Sequence, residues 1–251
     1  MQNCIKNMTT EEFKRKLNEA SGVILPLASM EQLGLHGPLG ADVMVADYVA
    51  PLIAEKAGML FSETIPFGDA LEMSDYAGTV SIPTEVLGSF YYNAASSYFR
   101  SGAKRIIFLM THSLNSRAAD YAARRLYSEG RDACLLDWWK AVTLGAPGIV
   151  EDLEYGCGHG GEMITSVIMA ISSENVHPER SSNEIPENGF CTLVKHIYGG
   201  GNPCTVYGNF HDYSISGTWG NVMLASAEKG NRLIVKAIDL LVSELKETER
   251  K

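Results

Sequence analysis

Val23-Ile-Leu-Pro-Leu27, followed by Glu31-Gln-Leu-Gly-Leu-His-Gly-Pro-Leu-Gly-Ala-Asp42 and then by apolar residues at Val45, Val49, Leu52 and Ile53, is the succession that decides the fold. The first piece is an unbroken apolar run, the pattern of a strand covered on both faces. The last piece repeats at helical spacing from Val43 to Lys56, with Asp42 placed as N-cap and Gly58 as C-cap. Pro51 inside it predicts a kink or a shifted helix start. The middle piece is therefore a loop at the carboxyl end of a strand, where open α/β sheets bind their ligands. Glu31, His36 and Asp42 give it two carboxylates and an imidazole, a metal-ligand set. Each also has a plainer use: a cap for Asp42, a solvated loop charge for Glu31, and a hydrogen-bonded loop imidazole for His36.

The flanking chain repeats the alternation. Thr9-Thr-Glu-Glu12 has capping-box spacing ahead of a short helix. Leu60 to Phe67 reads as a second strand, and Gly68 to Pro83 as an irregular loop. Thr84 is placed to cap a helix through Arg100, rich in aromatic residues and closed by Gly102. Arg105 to Met110 is a third apolar strand, followed by the polar loop Thr111-His-Ser-Leu-Asn115, a helix from Ser116 to Glu129, and a strand from Ala133 to Leu136. Such alternation predicts a three-layer α/β fold, a mainly parallel sheet with helices on both faces. Trp138, Trp139 and the stretch from Leu144 to Gly158 are less regular. Gly160 to Ser172 reads as a buried helix, Ser181 to Asp212 as loop-rich, with Tyr198 to Pro203 framing a pocket, and Ser226 to Glu247 as an amphipathic helix. No internal repeat or linker divides the chain, so residues 1–251 are expected to form one domain.

Composition narrows the function. With 45% apolar and 20% charged residues the chain has the makings of a substantial core. A net charge of −9, with no basic cluster against it, argues against a nucleic-acid partner. Cys4, Cys134, Cys157, Cys191 and Cys204 are widely spaced and form no Cys-x-x-Cys pair, which suggests neither a zinc knuckle nor a disulfide framework. Met1 to Met8 is polar and no apolar run is long enough to span a bilayer, so a cytoplasmic protein with no membrane partner is expected.

The stretch from Glu31 to Asp42 resembles the opening motif of the creatininase family, Glu-Gln-His-Gly-Pro-His-Leu-Pro-Leu-Gly-Thr-Asp, at eight of its twelve positions. Four further segments carry the likeness. Tyr76-Ala-Gly-Thr79 resembles the family's Phe-Pro-Gly-Thr, and Met110-Thr-His-Ser-Leu-Asn115 its Asn-Gly-His-Tyr-Glu-Asn. Gly158-His-Gly-Gly-Glu-Met-Ile-Thr-Ser166 resembles His-Ala-Gly-Glu-x-Glu-Thr-Ser, and Ala225 to Gly230 resembles the lead into the family's last helix. The resemblance implies a creatininase-like fold and a metal-dependent amidohydrolase cleaving a C–N bond in a small cyclic or linear amide. It implies Glu31, Asp42 and His112 as ligands of one divalent ion, zinc or manganese, with His159 and Glu162 handling protons. Family enzymes hold two ions. Here Leu33, Leu114 and Ile164 stand where the family has a histidine and two carboxylates, so a second ion requires His36 and Glu162 as substitutes. The alternative is a catalytically impaired relative acting as a metabolite-binding or assembly subunit. The family also implies a homo-oligomer, commonly a hexamer, for which the helix carrying Phe90, Tyr91, Tyr92 and Tyr98 offers surface.

Overall fold

Alternation along the apolar strands decides which side chains meet. In Val23–Leu27 (β1) and Arg105–Met110 (β3), Ile24, Ile107 and Leu109 point to one side of the sheet, and Val23, Leu25, Leu27, Ile106, Phe108 and Met110 to the other. With Leu60–Phe61 (β2) and Asp132–Asp137 (β4) they make a sheet of order β2-β1-β3-β4, parallel throughout. The computed structural model describes residues 3–182 and 208–248. Its helices are Thr10–Glu19 (α1), Ala41–Ala57 (α2), Thr84–Arg100 (α3), Ser116–Ser128 (α4), Trp138–Gly145 (α5), Glu162–Ser172 (α6) and Ala227–Thr248 (α7). Helices α2, α5, α6 and α7 close one core, while α1, α3 and α4 close the other. The expected three-layer α/β architecture is the one observed.

Most boundaries fall where the sequence predicts them, and the departures have local causes. Thr9 forms the full capping box with Glu12. Helix α2 begins earlier than expected: Gly40 is its N-cap and Asp42 lies in the first turn, its carboxylate free to point elsewhere. The helix runs through Pro51 and ends at Gly58, which adopts φ +64° as a left-handed C-cap must. Strand β2 is only two residues long. Ile24 and Pro26 turn their carbonyls toward it, accepting from the Ser62 and Ile65 amides, so the N–H that Pro26 lacks belongs to that same ladder. At this gap Glu63 and Thr64 swing out to Lys6 and Asp47, and pairing resumes at Ile65.

Pro83, not Thr84, is the N-cap of α3, because the Thr84 hydroxyl donates instead to the Asp69 carboxylate. The expected irregular stretch after Leu136 contains α5, capped by Asp137 accepting from the Lys140 amide. The segment Tyr198 to Pro203 lies outside the described residues. Less of α3's aromatic surface is free than expected. Tyr91 is buried, Tyr92 bonds Glu129 beneath the Arg125 guanidinium, and Tyr98 packs on Phe13, which leaves Phe90 and Val86 half exposed. No helix among the described residues is long and apolar enough to cross a membrane.

Two features place the site. Leu27 pairs with Met110, so β1 and β3 finish together, and the Thr111 amide donates to Leu27 O at 3.0 Å just beyond them. The loops leaving these strands therefore open side by side. Behind them α6 and α7 pack closely, since a Cβ on Gly230 would collide with the Ser166 carbonyl and lie 2.8 Å from Ala170 Cβ. Alanine at a helical glycine normally gains about 1 kcal/mol. Overpacking against a fixed backbone costs about 3 kcal/mol. Gly230→Ala is expected to lower stability on balance, read as an earlier urea midpoint at unchanged m-value.

Candidate metal centre

Three side chains converge where the loops open. Glu31 is held in the loop after β1, its amide donating to Leu39 O at 2.9 Å. Asp42 projects from the first turn of α2, and His112 lies two residues past the end of β3. His112 Nε2 donates to the Asp69 carbonyl at 2.7 Å, so a neutral imidazole has its Nδ1 lone pair free. Glu31 Oε2 and Asp42 Oδ2 each lie 3.2 Å from that Nδ1. Both oxygens are buried without a hydrogen-bond partner. Among the described residues this is the group whose ligand atoms all lie within 4.8 Å of one another. Three acceptors facing one point need a cation between them, a proton or a metal ion.

The electrostatics say the same. Burial opposes charge on His112, but Glu31 and Asp42 outweigh it and raise its pKa well above the usual value. Burial also works against Glu31, which His112 and His159 nevertheless hold below the ordinary carboxylate range. Asp42 is pushed up to about 6 by burial, with Glu31 adding to the rise against the opposing pull of His112. Its backbone carbonyl accepts from the Thr111 hydroxyl at 2.9 Å, and the Trp139 indole N–H lies 3.4 Å from Oδ1, opposite the converging Oδ2.

His159 stands beside the group. Its Nε2 is 3.3 Å from Glu31 Oε1, its Nδ1 is 3.0 Å from Gly217 O, and its ring meets Phe210 edge-on. Both nitrogens face oxygens, so the imidazolium satisfies both, and Glu31 accordingly raises the His159 pKa against the effect of burial. Glu162 departs from the expected proton-handling position. Fully buried, it accepts from the Glu151 and Asp152 amides at 3.0 Å each and from Lys229 Nζ at 2.7 Å. It is a clamp joining the start of α6 to the start of α7.

His36 also stands outside the converging group. Thr165 spends its hydroxyl proton on Gly160 O, so it accepts from His36 Nε2 at 3.0 Å. Burial holds His36 down to about 4, hence neutral. Leu33 and Ile164 are packed into the core with α2 and α6, and supply no ligand atom. The structure thus gathers Glu31, Asp42 and His112, sets His159 alongside, and leaves His36 and Glu162 apart. Sequence reading passed over the Asp69 carbonyl, which has no side-chain signature, and Trp139, which lay in the stretch taken as irregular.

A family model described as creatinine amidohydrolase matches residues 6–245. The mycofactocin precursor peptide peptidase of Mycobacterium ulcerans (strain Agy99) is 31% identical over 237 residues, covering 89% of this chain and 84% of the relative. The creatinine amidohydrolase of Pseudomonas putida is 24% identical over 201 residues, covering 72% of this chain and 76% of the relative. Among solved structures, one of creatinine amidohydrolase (creatininase) superposes with a TM-score of 0.79 at 19% identity, covering 98% of each chain. Another, titled creatininase Mn, gives 0.79 at 20% identity over 99% of each.

The clamp can be tested without reference to any ion. Glu162→Gln should cost about 2 kcal/mol, the scale of hydrogen bonds to a charged group. Combined with Lys229→Met, the loss measured by urea unfolding should fall short of additive, because the two residues share one interaction.

Proposed function

The chain belongs to the creatininase (creatinine amidohydrolase) family, whose named relatives here are hydrolases, and from this we propose that it is a metal-dependent amidohydrolase. Its substrate would be a small cyclic or linear amide, cleaved at the C–N bond. The observation that carries the reading is the convergence of Glu31 Oε2, Asp42 Oδ2 and His112 Nδ1, the first two buried and otherwise unpartnered. The relatives named as a peptide peptidase and a creatinine amidohydrolase support an amide substrate, and structures titled with zinc and manganese support those metals. A divalent ion there would polarise the carbonyl and lower the pKa of its water.

The remaining work falls to the protein's own groups. His112 is kept in one tautomer by Asp69 O, and Asp42 is steadied through Thr111 and Trp139. His159, protonated between Glu31 and Gly217 O, carries on Nε2 the proton that a departing nitrogen requires. We assign one ion rather than two, since burial of Leu33 and Ile164 in the core removes two ligands of a second. That same observation favours the second reading, a family member that keeps the fold and the ion as a metabolite-binding or assembly subunit. Either way the chain is taken as one domain, cytoplasmic, and assembled as a hexamer. The half-exposed Val86 and Phe90 on α3 support assembly, and light scattering giving a monomer mass at micromolar concentration would refute it.

Calorimetric titration of the metal-free protein with zinc or manganese should give one tight site per chain. His112→Ala should abolish it, and Leu33→Ala should leave it unchanged. Binding must displace the proton shared by the three ligands, so affinity should fall as the pH is lowered, with protons released on binding. Turnover of a lactam, a linear amide or a dipeptide, lost on chelation and in His159→Ala, identifies the hydrolase. One bound ion with no turnover across that panel identifies the non-catalytic subunit instead.

A further inference from the structure

His112 and Asn115 share a single turn, the Asn115 amide donating to His112 O at 3.1 Å. Both side chains reach the same residue on a different loop. Asp69 N–H donates to Asn115 Oδ1 at 3.1 Å, and the Asp69 carbonyl accepts from His112 Nε2 at 2.7 Å. Asn115 is completely buried, and its Nδ2 donates to Ala28 O at 3.0 Å, just upstream of Glu31. The amide lies so close over Gly68 that a Cβ there would sit 2.6 Å from Asn115 Oδ1 and 2.8 Å from Ala28 O. On its other side Asp69 is tethered through its carboxylate by the Thr84 hydroxyl.

We propose that Asn115 is the positioning residue of the metal centre: by gripping the Asp69 amide it aims the Asp69 carbonyl at His112 Nε2 and so turns Nδ1 toward Glu31 and Asp42. The inference rests on the metal reading above and deepens it. The mechanism is geometric. An imidazole pivots about its Cβ unless its distal nitrogen is fixed, and here the fixing group is a main-chain carbonyl, placed by the hydrogen bonds that hold its own peptide. Asn115 supplies the bond to that residue's N–H. Through Ala28 it also ties down the loop bearing Glu31. One amide side chain therefore couples the directions of two of the three ligands, although it contacts neither ligand atom. A role confined to stability would be felt in unfolding and leave the ligands' aim untouched.

Cobalt(II) titration of the full-length metal-free protein, read by visible absorption, separates these roles. Asn115→Ala should weaken cobalt binding about 10–100-fold, the usual effect of losing a group that orients a ligand, and should change the absorption bands of the bound ion. Leu17→Ala, a core truncation in α1 on the far layer, should lower the unfolding midpoint while keeping the wild-type dissociation constant and spectrum. If Asn115→Ala does not fold, Thr84→Val carries the test. Releasing the Asp69 side chain should shift affinity and spectrum in the same direction by a smaller factor. Wild-type binding and spectrum in the folded variant would overturn this inference alone. A wild-type protein that takes up no cobalt would remove the metal reading and this inference together.

Discussion

The parallel register of β1 on β3 governs everything at the carboxyl edge of the sheet. Val23 pairs with Ile106 and Leu27 with Met110, so the two loops with the outer ligands start level. A slip of one residue would carry His112 about 3.3 Å along the strand axis, more than the separation that now lets it face Glu31 and Asp42 together. The same slip would exchange the two faces of β3, sending Ile107 and Leu109 into the α1/α3/α4 layer and Phe108 into the other. Both cores therefore oppose the movement that would scatter the site. Hydrophobic packing, which is non-directional, acquires direction from the alternation of the strands.

On this frame the protein concentrates buried charge. Glu31, Asp42, His112 and His159 are all nearly inaccessible, and isolated ions of this kind in a protein interior are expensive. Their placement offsets the cost: each carboxylate faces an imidazole, and the outer nitrogens of both imidazoles meet main-chain carbonyls. The Glu162–Lys229 pair follows the same rule with a different outcome. Its carboxylate is saturated by two amides and an ammonium group and faces nothing left to bind. Buried acids in one protein thus divide into those with an oxygen left over and those without, and this division marks Glu31 and Asp42 apart from Glu162.

What could be read before the structure was whatever depends on periodicity. The apolar runs of β1 and β3, the capping box at Thr9 and the stop at Gly58 all follow from local chemistry, and the three-layer arrangement follows from their order. Direction was harder to read than position. Asp42 precedes an apolar repeat as a cap would, yet the helix starts one residue before it and frees its carboxylate for the site. Glu162 and His36 occur in motifs that suggest metal chemistry, and only tertiary contacts show that amides and a threonine hydroxyl have engaged them. Helix α5 was obscured because β4 runs into it with no glycine or proline between. The Asp69 carbonyl could not be read at all, because every residue has one.

Pro26 leaves a different mark. Its absent amide hydrogen interrupts the ladder between β1 and β2, and the neighbouring strand shrinks to two residues before Glu63 turns outward with its charge. That strand is one of the two ends of the sheet, and its Phe61 amide already donates to Asn3 O, where Cys4 bridges it. A long flat edge with free amides and carbonyls invites strands from other molecules to add on, the first step toward aggregation. Here the edge is too short, too broken and too charged to act as a template. The same residue that weakens one ladder helps keep crowded copies of the protein from joining sheet to sheet along that flank.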